Sequence, residues 1–248
     1  MVHIILTGAT GLVGSAVLAQ LLQSSTITRV SVLSRRPVAA TEGHKKANVI
    51  IQSDFSDYPQ SVTEQLQGAD GCIWAQGASA MGMAEKDYTE LTHDWPLAAA
   101  KAFGEMKKDS SNGRFNFVYV SGEGADQKEK ARAMFGRIKG RAEKDLVDLA
   151  DSSNSTKLAV YNLRPAGIDG SGSASKPERV PPVAYRLTSW MLPAIKIFAP
   201  KWHTPVDSLA KVAIDLAVSD GKPMQVEEGI EPDGRTLGNV AIRRLAGL

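Results

Sequence analysis

Cysteine occurs once in this sequence, at Cys72, so no disulfide can close within the chain and the fold must rest on its own core. Such a chain fits a reducing compartment. Because Cys72 lies in the apolar run Gly71–Ala75, it reads as a buried strand residue rather than a reactive thiol. Histidine is also scarce, with four in all, and no His, Cys, Asp and Glu fall at metal-ligand spacing, so no metal site is expected. There is no long run of one charge. The 29 basic and 27 acidic residues are dispersed, and the net charge of +2 gives no electrostatic case for nucleic acid. The most apolar stretch, residues 183–199, is short and is broken by Arg186, Pro193 and Lys196, so no transmembrane segment is expected. No signal-peptide pattern precedes the apolar start Val2–Leu6, and the expected location is the cytoplasm. No internal repeat is present.

What the chain does have is alternation. Strand-like apolar runs occur at His3–Leu6, Val30–Ser34, Val49–Gln52, Gly71–Ala75, Asn116–Ser121 and Leu158–Leu163. Helical stretches lie between or after them at Leu12–Gln23, Tyr88–Lys107, Glu129–Leu149 and Val206–Val218, the last with Asp207 as a cap near its start. Runs such as HIIL, VSVL and FVYV suit parallel strands covered on both faces. The pattern predicts an α/β fold, a doubly wound parallel sheet of Rossmann type with six strands and a small C-terminal substrate-side region. One domain over 1–248 is expected, with 170–205 as a cap or pocket segment. Only Asp109–Gly113 and Gly170–Pro182 have linker-like composition.

The first strand leads directly into TGATGLVG, residues 7–14. Gly8 permits a tight turn, Gly11 lets a pyrophosphate approach the backbone, and Gly14 lets the helix pack on the strand. Amides near Thr10, Leu12 and Val13 then face an anion at the positive end of the helix. The selector for the adenosine ribose is expected at the end of the second strand, where an NAD site places an acid. Here the chain reads Ser34-Arg35-Arg36, and two guanidiniums with a hydroxyl suit a 2′-phosphate. NADP(H) is therefore the expected cofactor. Asp54 and Phe55 follow the third strand, where they would meet the adenine or merely form a turn; Ala75-Gln76-Gly77 ends the fourth and would pass beneath the cofactor.

On these residues, with VYVSGEGAD at 118–126, KGRAEKDL at 139–146, LRPAGIDG at 163–170 and VDSLAKVAIDLA at 206–217, the chain resembles the atypical short-chain dehydrogenase/reductases. The likeness is to the branch with the Tat-interacting oxidoreductase and yeast mitochondrial relatives. The resemblance implies hydride chemistry by a Tyr-x-x-x-Lys pair with a Ser or Thr, the tyrosine acting as general acid or base. The matching segment is Phe135-Gly136-Arg137-Ile138-Lys139, so the tyrosine hydroxyl is missing. Lys139 would still bond the nicotinamide ribose. At the end of the fifth strand the chain offers Ser121, Gly122 and Glu123, and the candidate catalytic residues are Lys139, Ser121 and Glu123.

Each has an ordinary alternative. Lys139 also reads as a solvated helix charge, Ser121 as a backbone partner, Glu123 as a loop carboxylate and Asp126 as a turn residue before a helix. His93 and Asp94 are expected to pack against a neighbouring helix, and His203 is a further candidate proton donor. Residues 183–199 read as the apolar wall of a pocket, with Tyr185, Trp190, Met191, Phe198 and Trp202; a membrane-surface or homodimer helix is the competing reading. The expected partner is a hydrophobic small molecule. Three functions stay open: an NADP(H)-dependent oxidoreductase on a carbonyl or alcohol, a non-redox isomerase, cyclase or lyase using Glu123 or Lys139, and an NADP(H)-sensing regulator.

Overall fold

A computed structural model describes residues 2–106, 113–152, 157–178 and 202–248. The expectations for residues 109–112 and for the apolar wall at 183–199, including Tyr185, Trp190, Met191 and Phe198, lie outside the described residues.

The chain runs β1 (Val2–Thr7), α1 (Leu12–Gln23), β2 (Ile27–Ser34), β3 (Ala47–Ile51), α2 (Gln60–Leu66), β4 (Gly71–Trp74), α3 (Glu85–Thr89), α4 (Trp95–Met106) and β5 (Phe115–Val120). It continues with α5 (Met134–Ser152), β6 (Leu158–Arg164), β7 (Gly167–Asp169), β8 (His203–Pro205), α6 (Val206–Ala217), β9 (Thr236–Gly238) and α7 (Asn239–Ala246). Among the described residues one sheet has seven strands in the order β3-β2-β1-β4-β5-β6-β9, with every pairing parallel. β7 and β8 pair separately. The strand order reverses between β1 and β4, and the carboxyl ends that flank such a switch form a crevice.

Period-two alternation sorts each strand between two cores. Ile4, Leu6, Val30, Val32, Ile73 and Val118 face α1, α6 and α7, whereas Ile5, Leu33, Cys72, Trp74, Phe117 and Tyr119 face α4 and α5. Both faces are covered, which is why the strands read as continuous apolar runs. Burial pushes the Cys72 thiol up, so it behaves as core.

Several expectations are corrected. The sheet has a seventh strand, β9, and the small sheet was missed as well, because three-residue strands carry too little pattern to be seen. The helix expected over Tyr88–Lys107 is interrupted by a π-turn at Glu90–Asp94. There the Thr92 carbonyl accepts from the Tyr119 hydroxyl (2.9 Å), and His93 bridges Asp94 (2.6 Å) and Asp145 of α5 (2.8 Å). The helix expected from Glu129 begins at Met134, because Asp126 gathers the Lys128 and Lys130 amides into a turn and Glu129 takes a left-handed φ of 55°. Asp207 does not cap α6: the cap position is Pro205, and the Asp207 carboxylate accepts from Ser173 (2.6 Å). No described helix is long and apolar enough to cross a membrane.

Helix α5 lies against the loop after β5 through glycines. A Cβ on Gly136 would stand 2.6 Å from the Gly124 carbonyl oxygen, and one on Gly140 would overlap the Asp126 backbone. Behind this contact Glu143, fully buried, takes three hydrogen bonds from Arg164 of β6, which also reaches Glu231 (2.9 Å). Gly140→Ala should therefore destabilise the protein although alanine favours a helix by about 1 kcal/mol, since overpacking against backbone costs roughly 1–3 kcal/mol. Thermal unfolding should show a lowered midpoint for Gly140→Ala and almost none for Gly172→Ala, where a Cβ meets open space.

Candidate functional site

Three backbone segments meet at the switch between β1 and β4. Gly8 has a φ of 71° and lies against the Ala75 carbonyl so closely that a Cβ would overlap it. A Cβ on Gly14 would overlap the Gly8 carbonyl in the same way. These approaches fix the turn, and the Gly11 amide closes it on Gly8 (2.9 Å). Gly11 differs: its nearest neighbour would be the Gly8 oxygen at 3.3 Å, so its other side opens into the crevice. Helix α1 begins there with no side-chain cap and no acid in its first turn. Its leading amides, from Leu12 to Gly14, are the orphan donors of a helix N-terminus and attract an anion.

The crevice holds about 340 Å³ and is lined by Gly8–Gly11 with Thr10, Leu33, Ser34–Arg36 and Ala75–Gly77 with Gln76. The structure thus brings the glycine turn, the selector and the end of β4 into one cleft. The Arg36 amide donates to the Ser34 hydroxyl (3.3 Å), and both guanidiniums are exposed. A dinucleotide fits this donor set: a cradle without Cβ atoms, a positive helix end, and two cations at the far side.

Asp54 and Phe55 are not in it. The Asp54 carboxylate accepts from the Ser56 hydroxyl (2.6 Å) and amide (2.8 Å), which holds it below the usual carboxylate range and makes it a turn residue. Phe55 is corrected outright: it is buried between Trp74 (6.0 Å between ring centres) and Trp95 (5.5 Å). An aromatic after a strand looks alike whether it faces a ligand or the core.

The end of β5 positions the candidate catalytic residues. Lys139 donates to the Val120 (3.1 Å) and Ser121 (2.8 Å) carbonyls and lies 5.6 Å from the centre of the Tyr119 ring. Burial pushes its ammonium down to about 8, against the pull of Glu143. An ammonium has three donors, and two are used here. The Ser121 hydroxyl is buried with no partner among the described residues. Phe135, one helical turn before Lys139, lays its ring against Gly124, 3.3 Å from where a Cβ would be. Glu123 stands apart from the dinucleotide cleft: it is exposed and lines a second cavity of about 490 Å³ with Arg164, Trp202, Glu231 and Asn239.

The other candidates are anchors. His203 pairs with buried Asp169 across the small sheet (3.0 Å), and no group of three or more His, Cys, Asp and Glu that could hold a metal occurs among the described residues. Sequence reasoning missed the Glu143–Arg164–Glu231 cluster, because its members are far apart in the chain and only the fold of α5 onto β6 joins them.

A family model described as NAD(P)H-binding matches residues 8–179. The chain is 36% identical to leucinostatins biosynthesis cluster protein T of Purpureocillium lilacinum, over 97% of this chain and 94% of that protein. It is 30% identical to the mitochondrial protein fmp52 of Emericella nidulans, over 71% of each. An oxidoreductase of the short-chain dehydrogenase/reductase family from Burkholderia thailandensis superposes over 99% of this chain and 93% of its own, with a TM-score of 0.70 at 14% identity, a likeness of fold. The chain belongs to the NAD(P)H-binding family, for which the cofactor is a nicotinamide dinucleotide, and it has the fold of a short-chain dehydrogenase/reductase.

Proposed function

We propose that this protein is an NADP(H)-dependent oxidoreductase acting on a hydrophobic small-molecule carbonyl or alcohol. The observation that carries this reading is the joining, in one cleft, of the uncapped start of α1 with Ser34, Arg35 and Arg36. The helix end and Gly11 would hold the pyrophosphate, and the two guanidiniums would hold the 2′-phosphate. When bound, the nicotinamide would supply or accept a hydride. Lys139, with its remaining N–H, would hold the ribose and keep the end of β5 in register. The relative from a biosynthesis cluster supports a small-molecule substrate.

One observation favours a second reading. Phe135 has no proton to give, and burial pushes the Lys139 ammonium down to about 8, so the site suits proton transfer by lysine without hydride transfer. An isomerase, cyclase or lyase would work in that way.

NADPH should bind more tightly than NADH in calorimetry. Arg35→Ala should weaken NADPH by about tenfold or more, since a charged hydrogen bond contributes about 1.5–3 kcal/mol, and should leave NADH unchanged. Equal affinities in the unmutated protein would contradict the NADP reading.

Gly11→Val should abolish the thermal shift produced by NADPH while the ligand-free midpoint falls only slightly, because the position is extended and an added Cβ would press on one backbone atom alone, the Gly8 oxygen at 3.3 Å. A wild-type ligand shift in the mutant would show that the pyrophosphate does not lie there.

Phe135→Tyr separates the two chemistries. A missing acid–base group typically lowers rates by about 10²–10⁴-fold, so carbonyl reduction by the wild type should be slow and should rise in the tyrosine variant at unchanged NADPH affinity. Fast NADPH oxidation by the wild type across aldehydes and ketones, unaltered in the variant, would show that another group donates the proton.

A further inference from the structure

The loop that leaves β7 does not end on the substrate side. Gly170 packs against Leu12, where a Cβ would come within 2.6 Å of a leucine methyl. Ser173 donates to Asp207 at the start of α6 (2.6 Å). Glu178 then reaches the far side of the cofactor cleft: its carboxylate accepts from the Ala39 amide (2.9 Å) and stands 3.9 Å from the Arg36 guanidinium. Residues 170–178 therefore form a strap pinned at α1, at α6 and at the selector. Arg35, by contrast, has no ion pair or hydrogen bond with any described side chain.

We propose that Glu178 is a specificity-determining residue that competes with the 2′-phosphate of NADP(H) for Arg36, so that binding of the phosphorylated cofactor releases the end of the strap. The inference rests on the selector reading of Ser34-Arg35-Arg36. A phosphate of about two negative charges and a carboxylate repel when brought to the same guanidinium, and the phosphate makes the stronger bidentate pair. Arg35 receives the phosphate first, and Arg36 joins it once Glu178 has left. NADH carries no group that needs Arg36, so it binds with the strap in place. The pair between Glu178 and Arg36 is partly solvated, and exposed pairs contribute little, so the discrimination it removes is modest.

The test is calorimetry of wild type, Glu178→Gln, Arg36→Ala and the double variant with NADPH and with NADH. Glutamine keeps an oxygen for the Ala39 amide while removing the charge. Glu178→Gln should tighten NADPH about two- to fivefold and leave NADH unchanged, and it should have no effect when Arg36 is already alanine. Hydrogen exchange over residues 170–178 should be faster with NADPH bound than with NADH bound. A wild type that prefers NADPH, with Glu178→Gln neutral or tightening both cofactors equally, overturns this inference alone; so does identical exchange in the two complexes. Equal wild-type affinities for NADPH and NADH, unaltered by Arg35→Ala, overturn the selector reading and this inference together.

Discussion

The amides at the start of α1 face the crevice because backbone meets backbone at two points where side chains would hold it apart. Gly8 lies on the Ala75 carbonyl, and Gly14 lies on the Gly8 carbonyl. The first contact sets the end of β4 beneath the turn, and the second sets the angle at which the helix leaves β1. Everything in the cleft inherits that geometry. With the helix end bare of a cap and of acids, its partial positive charge is left for a ligand. Parallel pairing of β1 with both β2 and β4 then brings Arg35 on one side and Gln76 on the other to the same opening.

A second close approach governs the end of β5. Gly136 and Gly140 let α5 lie directly on the loop after β5, and Lys139 between them ties the helix to the carbonyls of Val120 and Ser121. The same burial that positions Lys139 removes water from its ammonium and lowers its hold on the proton. One turn further along the same face of this helix, Arg164 donates three hydrogen bonds to the buried Glu143 carboxylate. Such pairs cost desolvation and add little net stability, yet removing one partner leaves a buried charge, so the cluster fixes how α5 sits on β6. Phe135, half-buried one turn before Lys139, packs on Gly124 and offers no acid.

The two ends of the site are also joined by chain. The strap from β7 to the selector passes α1 and α6, elements whose packing forms much of one core. The Glu178–Arg36 contact beside the cleft thus belongs to a segment that starts at β7.

The α/β class, the first six strands of the sheet, the glycine turn and the pair of arginines beside it were legible in the sequence, because each is a local pattern: a run of apolar residues, glycines at the start of a helix, two arginines at the end of a strand. Lys139 and the absent tyrosine were pointed to by the family resemblance and not by pattern. Tertiary structure alone decided where long-range partners meet. Asp54 and Phe55 sit side by side in the chain, but one faces water and the other lies between two tryptophans. Glu123 follows Ser121 by two residues, yet Ser121 is buried and Glu123 is exposed and lines a cavity. Glu143, Arg164 and Glu231, or Arg36 and Glu178, carry no mark of one another, because ionic contact depends on distance in space and the charges themselves are common in every exposed segment. The short strand β9 likewise acquires its place from β6, which supplies the hydrogen bonds that three residues cannot supply for themselves.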